Sequence, residues 1–342
     1  MAASSRRPTQ KDVAREAGVS RAVVSYVINN RTGGNVRISG ETRQRVLEVV
    51  ERIGYRPNVN ARSLRTQRTQ LLAVMVPDLT NPFYPLLIRG AQAAAESRGY
   101  DLLIYDTNDR AAREQAFVEA MLRRGVDGVI AVAFHLRSEE AARLTRAGSE
   151  VVTISGEGHA IGVDAVVPAE RQAVHELMRH LIAHGHRRIA HLAGLPDTAP
   201  GALRLQGYRE ALAEAGIPFE ETLVRYGTFR REGVSEIITS LFSPTRDSRP
   251  TALFAANDLM AIEAIRVLGH LGLRVPEDVA VCGFDNIAEA EVIVPALTTV
   301  DQGAEAMGRR AVLLLLERLD GKAGDEPRQV STPCRLVLRS SV

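Results

Sequence analysis

Residues 9–29 read TQKDVAREAGVSRAVVSYVIN, and the first structural decision lies there. Thr9 stands ahead of an amphipathic run with Asp12 three positions on, the spacing of a capping box with Asp in place of Glu or Gln. Val13 and Ala17 fall one turn apart on one face, and Gly18 supplies the stop. Ser20 caps a second run, RAVVSYVIN, whose Val23, Val24 and Val27 form an apolar face. Two short helices joined by Gly-Val-Ser predict a helix-turn-helix. A third helix is expected after Ser39, where ETRQRVLEVVERIGY places Val46, Val49, Val50 and Ile53 at helical spacing.

Charge supports a separate head. Residues 1–70 hold 14 Lys and Arg against 5 Asp and Glu, whereas the rest of the 342-residue chain holds 29 against 36. A basic end on an acidic body is the footprint of a nucleic-acid-binding module. The hydrophobic and charged fractions, 45% and 25%, suit a soluble globular protein, and no apolar run is long enough to span a bilayer. The start, MAASSRRPTQKDVA, has no apolar stretch of a secretory signal, and Cys282 and Cys334 offer neither a disulfide framework nor a metal knuckle. A cytoplasmic location is expected.

Beyond Leu71 short apolar strands alternate with amphipathic helices. LLAVMVPD, YDLLIYDT, DGVIAVAF, EVVTIS, RRIAHLAG, TALFAAND and DVAVCGFD read as strands. PLLIRGAQAAAESRG, REQAFVEAMLRRG, ERQAVHELMRHLIAHG, LRLQGYREALAEAG and LMAIEAIRVLGHLG read as helices. Alternation predicts parallel sheets covered by helices, and about ten strands predict two sheets with a ligand cleft at their C-terminal ends. No GxGxxG after a strand, no GxxxxGK[ST] and no GxSxG is present, and no carboxylate pair has a spacing suited to acid–base work, so an enzyme is not expected. His180, His184 and His186 sit at a helix end, where the dipole suits them better than a metal does. Neither metal nor cofactor is expected.

The segments DVAREAGVS, VSYVIN, RVLEVVERIGYRPN and ARSLRT closely resemble the head of the lactose-repressor (LacI/GalR-type) family of bacterial transcription regulators. The resemblance runs almost to the C-terminus. It implies an all-α helix-turn-helix head plus an α/β two-lobed, periplasmic-binding-protein-like sensor domain with parallel sheets. The expected divisions are a head at 1–57, a hinge helix and linker at 58–69, and an effector-binding and dimerisation domain at 70–342. Within the last, the N-lobe takes about 70–167 and 301–329 and the C-lobe about 168–300 and 330–342.

The resemblance also implies partners and residues. The second helix enters the major groove, with Arg21, Ala22 and Tyr26 facing base edges and Ser25 and Asn29 on phosphates, and Thr9 and Ser20 also counted among the DNA-binding residues. Tyr26 departs from the pattern, since many relatives have Arg there. The segment NNRTGGNVRIS between the second and third helices is longer than usual in the family. After Pro57 a hinge helix begun by Asn58 and carrying Ala61 and Leu64 is too short to persist alone. The family pairs it with its dimer mate in the minor groove, Leu64 being the wedge at the central base step. The implied partners are a near-palindromic double-stranded operator, a second copy of the chain and a small effector, with no membrane. The end, RLVLRSSV, carries no heptad tail, so a homodimer is expected and no tetramer.

Positions matching the family's effector pocket are Asn81, Phe83, Tyr84, Ser155, Arg204, Phe229, Asn257, Asp285 and Gln302. Asp285 accepts, Asn257 donates and accepts, Arg204 donates in a fork and Phe229 offers a stacking face, a set suited to a sugar. Ser155 stands where many relatives have Asp. Asp258 reads as the N-cap of the helix LMAIEAI, and Asp285-Asn286 reads also as a turn. A purine-responsive regulator is the second reading, although its relatives carry Arg where this chain has Thr198. A regulator answering to a phosphocarrier protein is the third.

Overall fold

The computed structural model describes residues 8–28, 38–56, 67–154, 161–243 and 248–342. Asn29, Asn58, Ala61, Leu64 and Ser155 lie outside them, as does most of the segment 29–39. The chain divides into two compact units, 1–69 and 70–342.

The first unit contains α1 (Gln10–Ala17), α2 (Arg21–Ile28) and α3 (Gly40–Ile53). The Asp12 carboxylate accepts from the Thr9 backbone N–H at 2.9 Å and from its hydroxyl at 2.6 Å, closing the start of α1. Gly18 ends α1 at φ 64°, where a side chain would be strained. Ser20 Oγ accepts from the Val23 N–H and Ser39 Oγ from the Thr42 N–H, so α2 and α3 are capped by the serines that the sequence points to. Val13, Ala17, Val24, Val27, Val46 and Val49 are buried together as a small aliphatic core. Arg45 Nε donates to the Ala17 carbonyl and Arg52 pairs with Glu16, which tie α3 to α1.

The second unit holds two sheets. β1 (Leu71–Val76), β2 (Asp101–Asp106), β3 (Gly128–Ala131), β4 (Glu150–Ile154), β5 (Asp164–Pro168) and β11 (Gln329–Thr332) form a six-stranded sheet in the order β11-β5-β4-β3-β1-β2, parallel throughout. β6 (Ile189–Ala193), β7 (Val224–Tyr226), β8 (Ala252–Ala255) and β9 (Ala280–Cys282) form a parallel four-stranded sheet in the order β7-β6-β8-β9. β10 (Thr299–Asp301) and β12 (Arg335–Val337) pair antiparallel. Parallel strands are covered on both faces and therefore read as continuous apolar runs. LLAVMV shows this: Leu72, Val74 and Val76 enter one core with Leu87 and Val312, while Ala73 and Met75 enter another with Phe117 and Leu144.

The covering helices of the first lobe are α4 (Phe83–Glu96), α5 (Ala111–Arg124), α6 (Ser138–Arg146) and α12 (Ala304–Leu319). Those of the second are α7 (Glu170–Ala183), α8 (Ala199–Glu214), α9 (Val234–Phe242) and α10 (Asp258–His270), with the short α11 (Glu289–Val292) before β10. The chain passes between lobes after β5, after β10 and after β11. The crossing points differ slightly from the expected boundaries. β10 pairs with β12 through Asp301, and β11 stays in the first sheet through Thr332, which pairs with Pro168. The buried carboxylate of Asp164 fixes this arrangement by accepting from Arg318 of α12 and from the side chain and backbone of Arg328.

Candidate functional site

The gap between the lobes is lined from the C-terminal ends of strands in both sheets, the position where open parallel sheets bind ligands. From the first lobe Asn81 and Phe83 follow β1, Phe134 follows β3 and Ile154 ends β4. From the second, Arg204 sits in α8, Phe229 follows β7, Asn257 follows β8 and Asp285 follows β9. Gln302, after β10, and Tyr84 complete the polar and aromatic set. The cleft encloses about 680 Å³ of space open to solvent. Every effector position that the sequence names inside the described residues lines it.

Arg204 is the electrostatic centre, at 4% exposure. Nε and Nη2 donate to Glu170 at 3.0 and 3.2 Å, and Nη1 donates to the Ala256 carbonyl. Its guanidinium lies 4.0 Å above the Phe284 ring and 3.9 Å from Asp285 Oδ1. The fork read as a ligand clamp is therefore largely taken by Glu170, a lining residue the sequence reading missed. Glu170 opens a helix, where a carboxylate is ordinary, and its partner lies 34 residues away, so local pattern gave no signal.

Asp285 and Asn286 form a turn, as the sequence also suggested, with φ of 120° and 56°. Non-glycine residues hold such angles only when their surroundings fix them. Here Asp258 accepts from the Ile287 N–H at 2.9 Å, and Arg339 donates to Asn286 Oδ1 at 2.8 Å. The turn delivers the Asp285 carboxylate into the cleft, where Gln302 Nε2 donates to it at 2.6 Å. Burial holds the Asp285 carboxyl well above the usual carboxylate range, against the pull of Arg204. Burial likewise raises the Tyr84 phenol, with Asp285 adding to it.

One assignment is corrected. The N-cap of α10 is Asn257, whose Oδ1 accepts from the Met260 N–H at 3.0 Å, and not Asp258. Asp258 is the next residue, completely buried, and its carboxylate also accepts from the Thr299 hydroxyl. Asn257 Nδ2 donates to the Phe229 carbonyl at 2.7 Å, which helps hold Phe229 at φ 61°. The Phe229 ring closes on Gly194, where a Cβ would come within 2.0 Å of it. Asn81 Oδ1 accepts from the Phe83 N–H at 3.0 Å, so Asn81 shapes the loop as well as facing the cleft. Thr198 caps α8 by accepting from the Gly201 N–H.

In the head, Ser20, Arg21 and Ala22 are exposed, while Thr9, Ser25 and Tyr26 are half-buried. The valines of α2 face the core, which leaves its opposite side outward. Elsewhere, His184 Nδ1 donates to the His180 carbonyl and His186 Nδ1 pairs with Thr251 Oγ1. Among the described residues no group of three His, Cys, Asp or Glu could hold a metal, and no helix is long and apolar enough to cross a membrane.

Residues 9–58 match the bacterial regulatory proteins of the lacI family, and residues 178–342 match the periplasmic binding protein-like domain. The chain is 36% identical to the HTH-type transcriptional regulator DegA of Bacillus subtilis (strain 168) over 98% of both chains. The chain belongs to the lacI family. It is a DNA-binding transcription regulator with an effector-binding domain. The regulator CelR of Thermobifida fusca is 37% identical over 98% of both chains. Among solved structures, a CelR–cellobiose complex covers 98% of this chain and all of its own at TM-score 0.72 and 34% identity. The lac repressor dimer bound to operator and the anti-inducer ONPF covers 98% and 99% at TM-score 0.85 and 25% identity.

Proposed function

We propose that this lacI-family regulator is a cytoplasmic repressor of carbohydrate-utilisation genes, acting as a homodimer on a near-palindromic operator. A neutral saccharide in the cleft switches its operator affinity. The observation that carries the ligand class is the pairing of Arg204 with Glu170. Among the described residues that line the cleft, Arg204 is the only cation and it is paired with Glu170, so this lining offers no unpaired positive charge to a phosphate or carboxylate. What it offers is acceptors and donors in Asp285, Gln302 and Asn257 between the rings of Phe83, Phe134 and Phe229. Such a surface fits hydroxyls on the edge of a sugar and its apolar faces. The cellobiose bound by the related CelR supports the same class.

In the head, Arg21, Ala22 and Tyr26 are assigned to base edges, with Thr9, Ser20, Ser25 and Asn29 on the backbone. Asn58, Ala61 and Leu64 are assigned to the minor groove, Leu64 as the wedge. Two copies read two half-sites, as the two-fold symmetry of a dimer requires.

A thermal-shift screen tests the ligand class, because a true ligand binds the native state and raises the melting temperature. A saccharide is expected to do so. A nucleobase raising it instead would overturn the sugar reading and favour the purine alternative.

A further inference from the structure

The chain passes once from the first unit to the second, between Thr69 and Gln70. We propose that Asp127 is the positioning residue of this joint: its buried carboxylate holds the Gln70 backbone in one conformation and thereby limits where each head of the dimer can reach on the operator. The inference rests on the reading of two heads on two half-sites and adds the residue that makes their spacing definite.

Asp127 stands immediately before β3 and is 5% exposed. The starts of neighbouring strands meet on it. Its N–H donates to the Leu71 carbonyl of β1 at 2.9 Å, and its carbonyl accepts from the Glu150 N–H of β4 at 3.0 Å. Its Oδ2 accepts from the Gln70 N–H at 2.9 Å. The Gln70 carbonyl in turn accepts from the Asp101 N–H of β2 at 2.9 Å. The peptide groups on both sides of the Gln70 Cα are therefore held, one by a side chain and one by the sheet.

The residue held in this way has an uncommon backbone. Gln70 lies at φ 57°, in the left-handed region, which a residue other than glycine, asparagine or aspartate keeps when its surroundings fix it. Gln67, three residues earlier, lies at φ 53°. Without the Asp127 carboxylate Gln70 loses one of its two backbone anchors, and the extended and right-handed regions become open to it. Asp127 itself has little room to follow. The next residue, Gly128, packs so closely under Leu315 of α12 that a Cβ there would come within 2.2 Å of that side chain.

The joint matters because an operator is read twice. Once one head is bound, the second binds as an intramolecular event, at an effective concentration set by how closely the connecting chain holds it to its half-site. A joint with one backbone conformation keeps that concentration high. A joint with several spreads the head over positions where no half-site lies, and the ordering must then be supplied on binding. Asp127 therefore acts on the whole operator and not on either half-site.

The test is fluorescence anisotropy of the full chain at one salt concentration with three duplexes: an operator selected by the chain itself, a duplex carrying one half-site, and a duplex of unrelated sequence. Asp127→Ala removes the acceptor. The proposal expects the affinity for the operator relative to the half-site to fall at least about fivefold, the worth of one hydrogen bond, with the half-site and unrelated duplexes bound as by the wild type. Asp127→Asn keeps an acceptor for the Gln70 N–H and is expected to restore most of the ratio. Gln70→Gly leaves Asp127 in place, frees the same residue and is expected to lower the ratio as Asp127→Ala does, which keeps the test decisive if Asp127→Ala folds poorly. A ratio unchanged in Asp127→Ala and Gln70→Gly, or a loss shared equally by all three duplexes, would overturn the joint and leave the two-half-site reading standing. A wild type that binds the operator no tighter than the half-site would remove both.

Discussion

Arg204 lines the cleft and holds its fold together through Glu170 and the Ala256 carbonyl. Its removal strands Glu170 and Asp285 as buried carboxylates, so Arg204→Ala is expected to cost the effector domain about 3–5 kcal/mol, read by urea unfolding. The pairing with Glu170 makes that substitution a poor probe of ligand binding alone. Asp285→Asn keeps the shape of the turn and the Gln302 contact, and is expected to weaken saccharide binding about ten- to a hundredfold with an unchanged unfolding midpoint. Asp258 carries a pH signature. Burial raises its pKa to about 7, outweighing the Thr299 hydroxyl and the N–H groups of Ile287 and Asn286. Unfolded, it titrates near 3.9, so between about pH 4 and 7 the fold keeps a proton that the unfolded chain has lost. Stability therefore falls as pH rises through that window and levels off above it. Asp258→Asn is expected to make the slope shallower in thermal unfolding across about pH 4 to 8, and an identical slope would contradict the assignment. Residue types at strand ends pointed to Asn257 and Asp285, and the family resemblance pointed to Asn81, Phe83, Tyr84, Phe229 and Gln302, all of which line the cleft. The Arg204–Glu170 pair was not legible, because it joins residues 34 apart in the chain. The cap at Asn257 is a local contact, and two adjacent residues of capping type hid which of them makes it.

At the scale of elements, the helix pair α4 and α12 is packed closely enough to require glycine. A Cβ on Gly308 would lie 1.9 Å from the Leu87 carbonyl oxygen, and one on Gly90 equally close to that of Glu305. Gly308→Ala is expected to destabilise the unit by about 1–3 kcal/mol, because backbone must move. Gly269, in α10, has open space at its Cβ position, so Gly269→Ala is expected to stabilise by about 0.5–1 kcal/mol. Equal effects in the two variants, measured by chemical denaturation, would show that the helix pair is looser than described. Strands such as LLAVMV and TALFAAND announce themselves by unbroken apolar runs. β7, β10 and β12 are three residues each, and β11, QVST, is mostly polar and half-exposed, so no periodicity could mark them. Their places follow from partners in the sheets, and the lobe boundaries near 301 and 332 follow from those places.

For the whole molecule, the basic residues gathered in 1–70 and the cleft in 70–342 divide the labour between DNA and ligand. A ligand that touches both lobes can alter DNA binding only by as much as it binds one arrangement of the lobes better than another, and the coupling is reciprocal. The sequence showed both ends of this coupling, through the capped helices of the head and the strand-end residues of the cleft. It could not show the cleft's depth, which is built from segments as far apart as Asn81 and Gln302. The most direct measurement is fluorescence anisotropy of an operator duplex selected by the chain itself, titrated at fixed salt with and without the saccharide that raises the melting temperature. The account predicts that saturating saccharide shifts operator affinity by at least about fivefold, and that Asp285→Asn binds the bare operator like the wild type but needs far more saccharide for the same shift. Operator affinity indifferent to saturating saccharide, or a response unchanged in Asp285→Asn, would contradict it.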